Sequence, residues 1–136
     1  MKSEIKTAHK ARFLGPYKKR LSALVKISRD HGIEPIFITQ PVLFGNAIDD
    51  VTNVDLGRLK INDSNGRLEW EILELYNDAT RELEKEAGVL VIDLAKDLPK
   101  SSRYYYDFIH YTYLVSFLLK NFNGASKTPS IKHLTK

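Results

Sequence analysis

Residues 67–94 read RLEWEILELYNDATRELEKEAGVLVIDL. Leu68, Ile72, Leu75, Tyr76, Ala79 and Leu83 recur at three- and four-residue intervals, while Glu69, Glu74, Arg81, Glu82, Lys85 and Glu86 fall on the opposite side. That spacing predicts an amphipathic helix over 67–87. Gly88 ends it, because glycine enters the left-handed conformation of a helix C-terminus without steric cost. The apolar run Val89-Leu90-Val91-Ile92-Asp93-Leu94 then predicts a buried strand. Upstream, Ile36-Phe37-Ile38-Thr39, bracketed by Pro35 and Pro41, predicts a second one. Strand, helix and buried strand in succession imply a right-handed parallel crossover, which places the chain in the α/β class.

Outside this unit the pattern is equally readable. Tyr17, Leu21, Leu24, Val25 and Ser28 make one face of a helix over 13–31, with Lys18, Lys19, Arg20, Lys26 and Arg29 on the other. Pro16 suits its first turn and Gly32 its end. Residues 42–66 carry Gly45, Asn46, Asp49, Asp50, Asn53, Gly57 and the group Asn62-Asp63-Ser64-Asn65-Gly66, so a long functional or mobile loop is expected there. After Leu98-Pro99, Thr112 can cap a last helix over 113–122. Leu114, Val115, Phe117, Leu118, Leu119 and Phe122 make that helix apolar nearly all round, so it needs a cover. The expected organisation is a basic N-terminal segment (1–12), an α/β domain (13–124) and a mobile basic tail (125–136).

A chain of 136 residues with 43% hydrophobic and 28% charged residues has the composition of an ordered globular domain. It contains no cysteine, which excludes disulfides, a thiolate nucleophile and Cys-based zinc sites. No apolar run reaches membrane-spanning length, and no signal-peptide pattern follows the basic start, so the compartment stays open. The net charge of +4 is unevenly placed. Residues 1–20 hold seven Lys/Arg against one Glu, whereas 21–126 hold 11 basic and 16 acidic residues. With the folded part acidic and no basic groove interleaved with aromatics, nucleic-acid binding is not expected.

The chemistry-bearing feature is Tyr104-Tyr105-Tyr106-Asp107-Phe108-Ile109-His110-Tyr111-Thr112. It lies beyond the C-terminal end of a predicted parallel strand, where open α/β sheets place their ligands, and the strand ending in Gln40 points a second loop to the same edge. Asp107 and His110 are the candidate catalytic residues, an acid that fixes the ring and a base that carries the proton. Gln40, Tyr104 and Tyr106 are candidates for lining a substrate pocket. The competing reading has His110 capping a helix and Asp107 pairing with Arg103. The tyrosines would then be packing residues. His9, His31 and His133 are scattered, so no metal site is expected, and no cofactor is implied. None of the serines lies in a Gly-x-Ser-x-Gly elbow or a Gly-Asp-Ser turn, so the chain offers no evident nucleophile.

The succession Ile36-Phe37-Ile38-Thr39-Gln40-Pro41, a variable loop, a helix with Tyr76-Asn77, Val89 to Leu94, and Tyr106-Asp107-x-x-His110-x-Thr112 resembles the C-terminal half of the SGNH, or GDSL, hydrolases over residues 13–122. The resemblance implies a partial three-layer α/β/α sandwich of flavodoxin-like kind, with at least two parallel strands and covering helices. It also implies Asp107 and His110 as two members of a serine triad acting on small acyl esters, acetylated carbohydrate among them. The family's Gly-Asp-Ser block, its oxyanion-hole Gly and its Gly-x-Asn-Asp block have no counterpart here, and Tyr113-Leu114-Val115-Ser116 stands where a glycine usually opens the last helix. A fragment or truncated relative, inactive alone, is therefore the expectation, alongside a non-catalytic structural module that associates with itself as a homo-oligomer.

Overall fold

The computed structural model describes residues 2–113; the tail and the last helix expected beyond Tyr113 lie outside the described residues. The fold is mixed α/β and divides into two compact units, one of Met1–Gln40 with Glu71–Asp93 and one of Pro41–Trp70 with Leu94–Lys136.

In the first unit, helix α1 (Lys2–His9) runs through a single π-helical stretch (Lys10–Leu14) into α2 (Gly15–Asp30). The helix thus begins well before the expected start at Pro16. Proline lacks the N–H that would bond the carbonyl four residues back, and its ring crowds that carbonyl. The wider π turn just upstream lets the helix pass the proline without breaking. At the other end Gly32 has φ 71°. Its N–H bonds Arg29 O at 2.9 Å and the Ile33 N–H bonds Ser28 O at 2.9 Å, the paired C-terminal closure that a left-handed residue permits.

Strand β1 (Ile36–Ile38) pairs in parallel with β4 (Leu90–Ile92), Phe37 opposite Val91, and α3 (Gly66–Ala87) connects them. Gly88, at φ 64°, ends α3 where the sequence places the stop. Leu21 and Val25 from α2, Leu83 from α3 and Val89 form the core, with Tyr17, Phe37, Ala87 and Val91 packed against it. The two strands are less buried than their composition suggests. Phe37 and Val91 point into this core, whereas Ile36, Ile38 and Leu90 on the other face are 58%, 46% and 46% exposed. Alternation along a strand sends successive side chains to opposite faces; Phe37 and Val91 meet the α2–α3 core, while on the other face Ile92 is buried at 9% exposure and its three neighbours are not.

The ends of the strands are tied by polar groups. Asn77, 3% exposed, accepts the Gln40 N–H at 2.9 Å and donates to Gln40 O at 3.0 Å. Arg81 holds both oxygens of Asp93, at 2.8 Å each, and also bonds Glu74 and Asp78; Thr39 donates to Asp93 at 2.9 Å. Arg81 is the cation shared by these three carboxylates, and its guanidinium is held well above its ordinary pKa, first by Asp93.

The second unit contains the long loop expected over 42–66; it is irregular over most of its length, yet several of its hydrophobic side chains are buried. Val42, Leu43, Phe44 and Leu56 are at most 8% exposed. Leu43 and Leu56 pack with Leu94 and Leu98, at either end of the short α4 (Leu94–Asp97), and with Tyr105. A two-residue turn with Asn62 at φ 52° joins β2 (Lys60–Ile61) to the antiparallel β3 (Ser64–Asn65). Lys100 donates from Nζ to the carbonyls of Val42 and Phe44, both at 2.8 Å, and lies over the Trp70 ring. Backbone groups turned inward without a ladder are satisfied in this way by a side chain.

Candidate functional site

The Asp107–His110 segment is the tip of a narrow loop in the second unit. The Thr112 N–H bonds Tyr104 O and the Tyr106 N–H bonds His110 O, both at 2.8 Å, and Tyr105 faces Tyr111 across the pair. Asp107 then organises the tip. Its Oδ1 accepts the N–H groups of Ile109 at 2.8 Å and His110 at 2.7 Å, a turn that aspartate side chains favour. Its Oδ2 lies 2.7 Å from His110 Nδ1. One carboxylate therefore shapes the backbone and holds the ring it serves.

The chemical consequence follows from hydrogen-bond bookkeeping. A carboxylate only accepts, so Nδ1 must carry the proton, and in the neutral ring Nε2 is left as the acceptor. Three donors facing Asp107, first the His110 N–H, then the Ile109 N–H and then the imidazole, lower its pKa from 3.8 to about 2. The carboxylate thus keeps its charge throughout the range in which histidine titrates. A carboxyl titration followed by NMR is expected to show the Asp107 midpoint near 2. Because the folded value is depressed, its contribution to stability is complete above the usual carboxylate pKa and fades as pH falls from about 4 toward 2.

The pair is open to solvent, with the His110 and Asp107 side chains 71% and 54% exposed. Its surroundings on the loop are apolar. Tyr106 is 71% exposed, Phe108 43% and Ile109 47%. Phe108 is held from below, its carbonyl accepting the Leu43 N–H at 2.9 Å and its ring meeting Phe44 edge-on at 6.2 Å.

Upstream, the loop is fastened to residues 49–52. Asp49 is 1% exposed and accepts four hydrogen bonds, from the N–H and Oγ of Ser102 at 2.9 Å each and from the N–H and Oγ1 of Thr52 at 3.1 and 2.5 Å. The donors, led by the Thr52 hydroxyl, hold its carboxyl well below the usual range. Asp50 accepts from Ser101 Oγ at 2.5 Å and from Arg103 at 3.2 Å.

Of the residues singled out in the sequence, Asp107, His110 and Tyr106 stand together on this loop. Tyr104 is half-buried against the Leu43 core. Gln40 belongs to the first unit, with its backbone fixed by Asn77. The competing pairing of Asp107 with Arg103 is not formed; Arg103 bonds Asp50. The helix that His110 would cap in the competing reading lies outside the described residues; the His110 ring engages Asp107. Sequence reasoning missed the roles of Asp49 and Ser102, and it named Asn77 only as part of the resemblance, not as the residue that fixes Gln40. The only available signal was a pair of adjacent aspartates followed by a threonine three residues after the first, a common loop composition.

No helix among the described residues is long and apolar enough to cross a membrane. Comparisons with family models, with curated proteins and with solved structures find no match for this chain.

Proposed function

We propose that the chain carries the acid–base half of an SGNH-type serine esterase site, with Asp107 holding the ring and His110 acting as general base and then general acid on small acyl esters. The observation that carries this reading is the 2.7 Å contact between His110 Nδ1 and Asp107 Oδ2, which leaves Nε2 to accept a hydroxyl proton. Exposed Tyr106 is the best placed of the expected substrate residues, and an acetylated sugar offers a face that a tyrosine ring can stack on. The serine and the oxyanion donors would come from polypeptide carrying a Gly-Asp-Ser block. Without them the imidazole lacks both a nucleophile and the electrostatic stabilisation that is usually the largest catalytic term.

The chain by itself is expected to hydrolyse p-nitrophenyl acetate no faster than its His110→Ala variant. Mixing it with a Gly-Asp-Ser-bearing N-terminal half of such an esterase should create activity, and a fluorophosphonate should label the added serine. A burst phase or labelled serine in this chain alone would reject the reading.

A second reading, a non-catalytic module that associates with itself, draws on the exposed Ile36, Ile38 and Leu90 face. Light scattering that finds a monodisperse monomer at micromolar concentration would remove it.

A further inference from the structure

We propose that Asp49 is the positioning residue of the Asp107–His110 loop: its buried carboxylate fixes Ser102 at the base of the loop and thereby sets the orientation of the imidazole at the tip. This inference rests on the esterase reading only for its meaning in catalysis; the structural relation is testable without it.

A carboxylate at 1% exposure needs hydrogen-bond donors from the protein in place of water. All its neighbours within hydrogen-bonding distance are donors, two from Thr52 and two from Ser102, so the ionised form is matched on every side. Thr52 belongs to the same tight turn as Asp49, closed by the Asn53 N–H on Asp49 O and the Asp49 N–H on Val54 O, both at 2.9 Å. The two Thr52 bonds therefore hold the carboxylate, and the two Ser102 bonds transmit that position to a segment 53 residues away. Ser101 and Arg103 reinforce the attachment through Asp50, so three consecutive residues are fixed. The chain rises from there through Tyr104, which bonds Thr112, to Tyr106, which bonds His110. No other carboxylate reaches the loop base from a buried position among the residues described.

Replacing Asp49 by Asn retains size but turns one acceptor into a donor. The two hydroxyls can turn to accept, but the backbone N–H groups cannot, so the amide nitrogen meets an obligate donor in either placement, the Ser102 N–H at one oxygen position or the Thr52 N–H at the other. One backbone bond is lost in either placement, so the side chain at this position is held less tightly and the loop loses part of its fixed base.

The test reads the imidazole directly. Long-range ¹H–¹⁵N spectra of the full chain, recorded above the histidine titration range, are expected to show neutral His110 as the Nδ1–H tautomer. In Asp49→Asn the Nε2–H share should rise several-fold, and exchange of the His110 and Tyr106 amides should quicken by roughly tenfold or more as the loop opens locally. A merely structural role would lower the melting temperature and leave the tautomer unchanged, which would overturn the proposal. If Asp49→Asn does not fold, Ser102→Ala removes one of the four bonds and should shift the tautomer in the same direction. An unchanged tautomer there, in a folded protein, would equally overturn it. Should wild-type His110 itself not be the Nδ1–H form, the esterase reading fails first, and the two failures are told apart.

Discussion

Asp107→Asn, introduced into the chain complemented with a serine-bearing half, is expected to lower turnover by on the order of 10⁴ while leaving the loop folded. The size follows from the tautomer. In the wild type Oδ2 accepts from Nδ1 at 2.7 Å and Oδ1 accepts two backbone N–H groups. An asparagine keeps its carbonyl oxygen on the two N–H groups, where Ile109 and His110 need an acceptor, and presents its NH₂ to the ring. Nδ1 must then accept, the proton moves to Nε2, and the base that should take the serine proton already carries one. His110→Ala removes the carrier altogether and should cost at least as much. Tyr104→Phe, which keeps the ring packed on the Leu43 core, should stay within roughly tenfold because it touches no transferred proton. Steady-state rates on p-nitrophenyl acetate across these variants decide the matter. A reconstituted enzyme that keeps its rate with Asn at 107 would refute the triad assignment.

What the sequence disclosed and what it concealed divide along a physical line. The β1–α3–β4 unit was legible because its signals are local and periodic: the Leu68 to Leu83 stripe, the glycine stop at 88, and two apolar runs of strand length. The Asp107–His110 contact was also legible, since a three-residue spacing in a turn leaves few arrangements for an acid and a base. The packing of 42–56 was not. Val42, Leu43, Phe44 and Leu56 follow neither a two- nor a 3.6-residue period, because they are buried by a folded loop and α4 rather than by a face of a regular element. Gly45, Gly57 and the run Asn62 to Gly66 pointed to a loop, which is found, but gave no sign that Leu43 and Leu56 within it join a core. Asp49 was hidden for the same reason. Its importance comes from Ser102, 53 residues on, and no local pattern encodes that distance.

The start of α2 shows a different limit. Proline at a first helical turn is a sound rule, yet it describes only one way to accommodate a missing N–H. A π turn over Lys10–Leu14 is another, and composition does not distinguish them.

Gly66→Ala is expected to be the most damaging single-atom change in the described chain. A Cβ at Gly66 would lie 2.1 Å from the carbonyl oxygen of Leu56 and 3.1 Å from Phe44 Cβ. The first obstacle is backbone, so no rotamer change relieves it. Leu56 cannot retreat freely, for it is 3% exposed and its N–H is bonded to Ala47 O at 2.9 Å. Gly66 is pinned as well, by its own N–H to Leu59 O at 2.8 Å. Overpacking of a core costs about 1–3 kcal/mol when side chains can adjust. With main chain on both sides the upper end or more is expected, against a total stability on the order of 5–15 kcal/mol for a domain. The control is Gly15→Ala, where an added Cβ meets no atom beyond its chain neighbours within 4 Å; the helical gain of alanine is offset there by crowding from the ring of Pro16, so a near-neutral change is expected. Urea denaturation of the two variants beside the wild type should therefore lower the midpoint for Gly66→Ala and leave that of Gly15→Ala close to the wild type. The expectation is wrong if Gly66→Ala keeps the wild-type midpoint, for then the Leu56 carbonyl yields without cost. The same displacement would strain the turn that holds Asp49. The Gly66 variant should accordingly also perturb the His110 imidazole signals, although the ring is far along the chain and bonded to neither Gly66 nor Leu56.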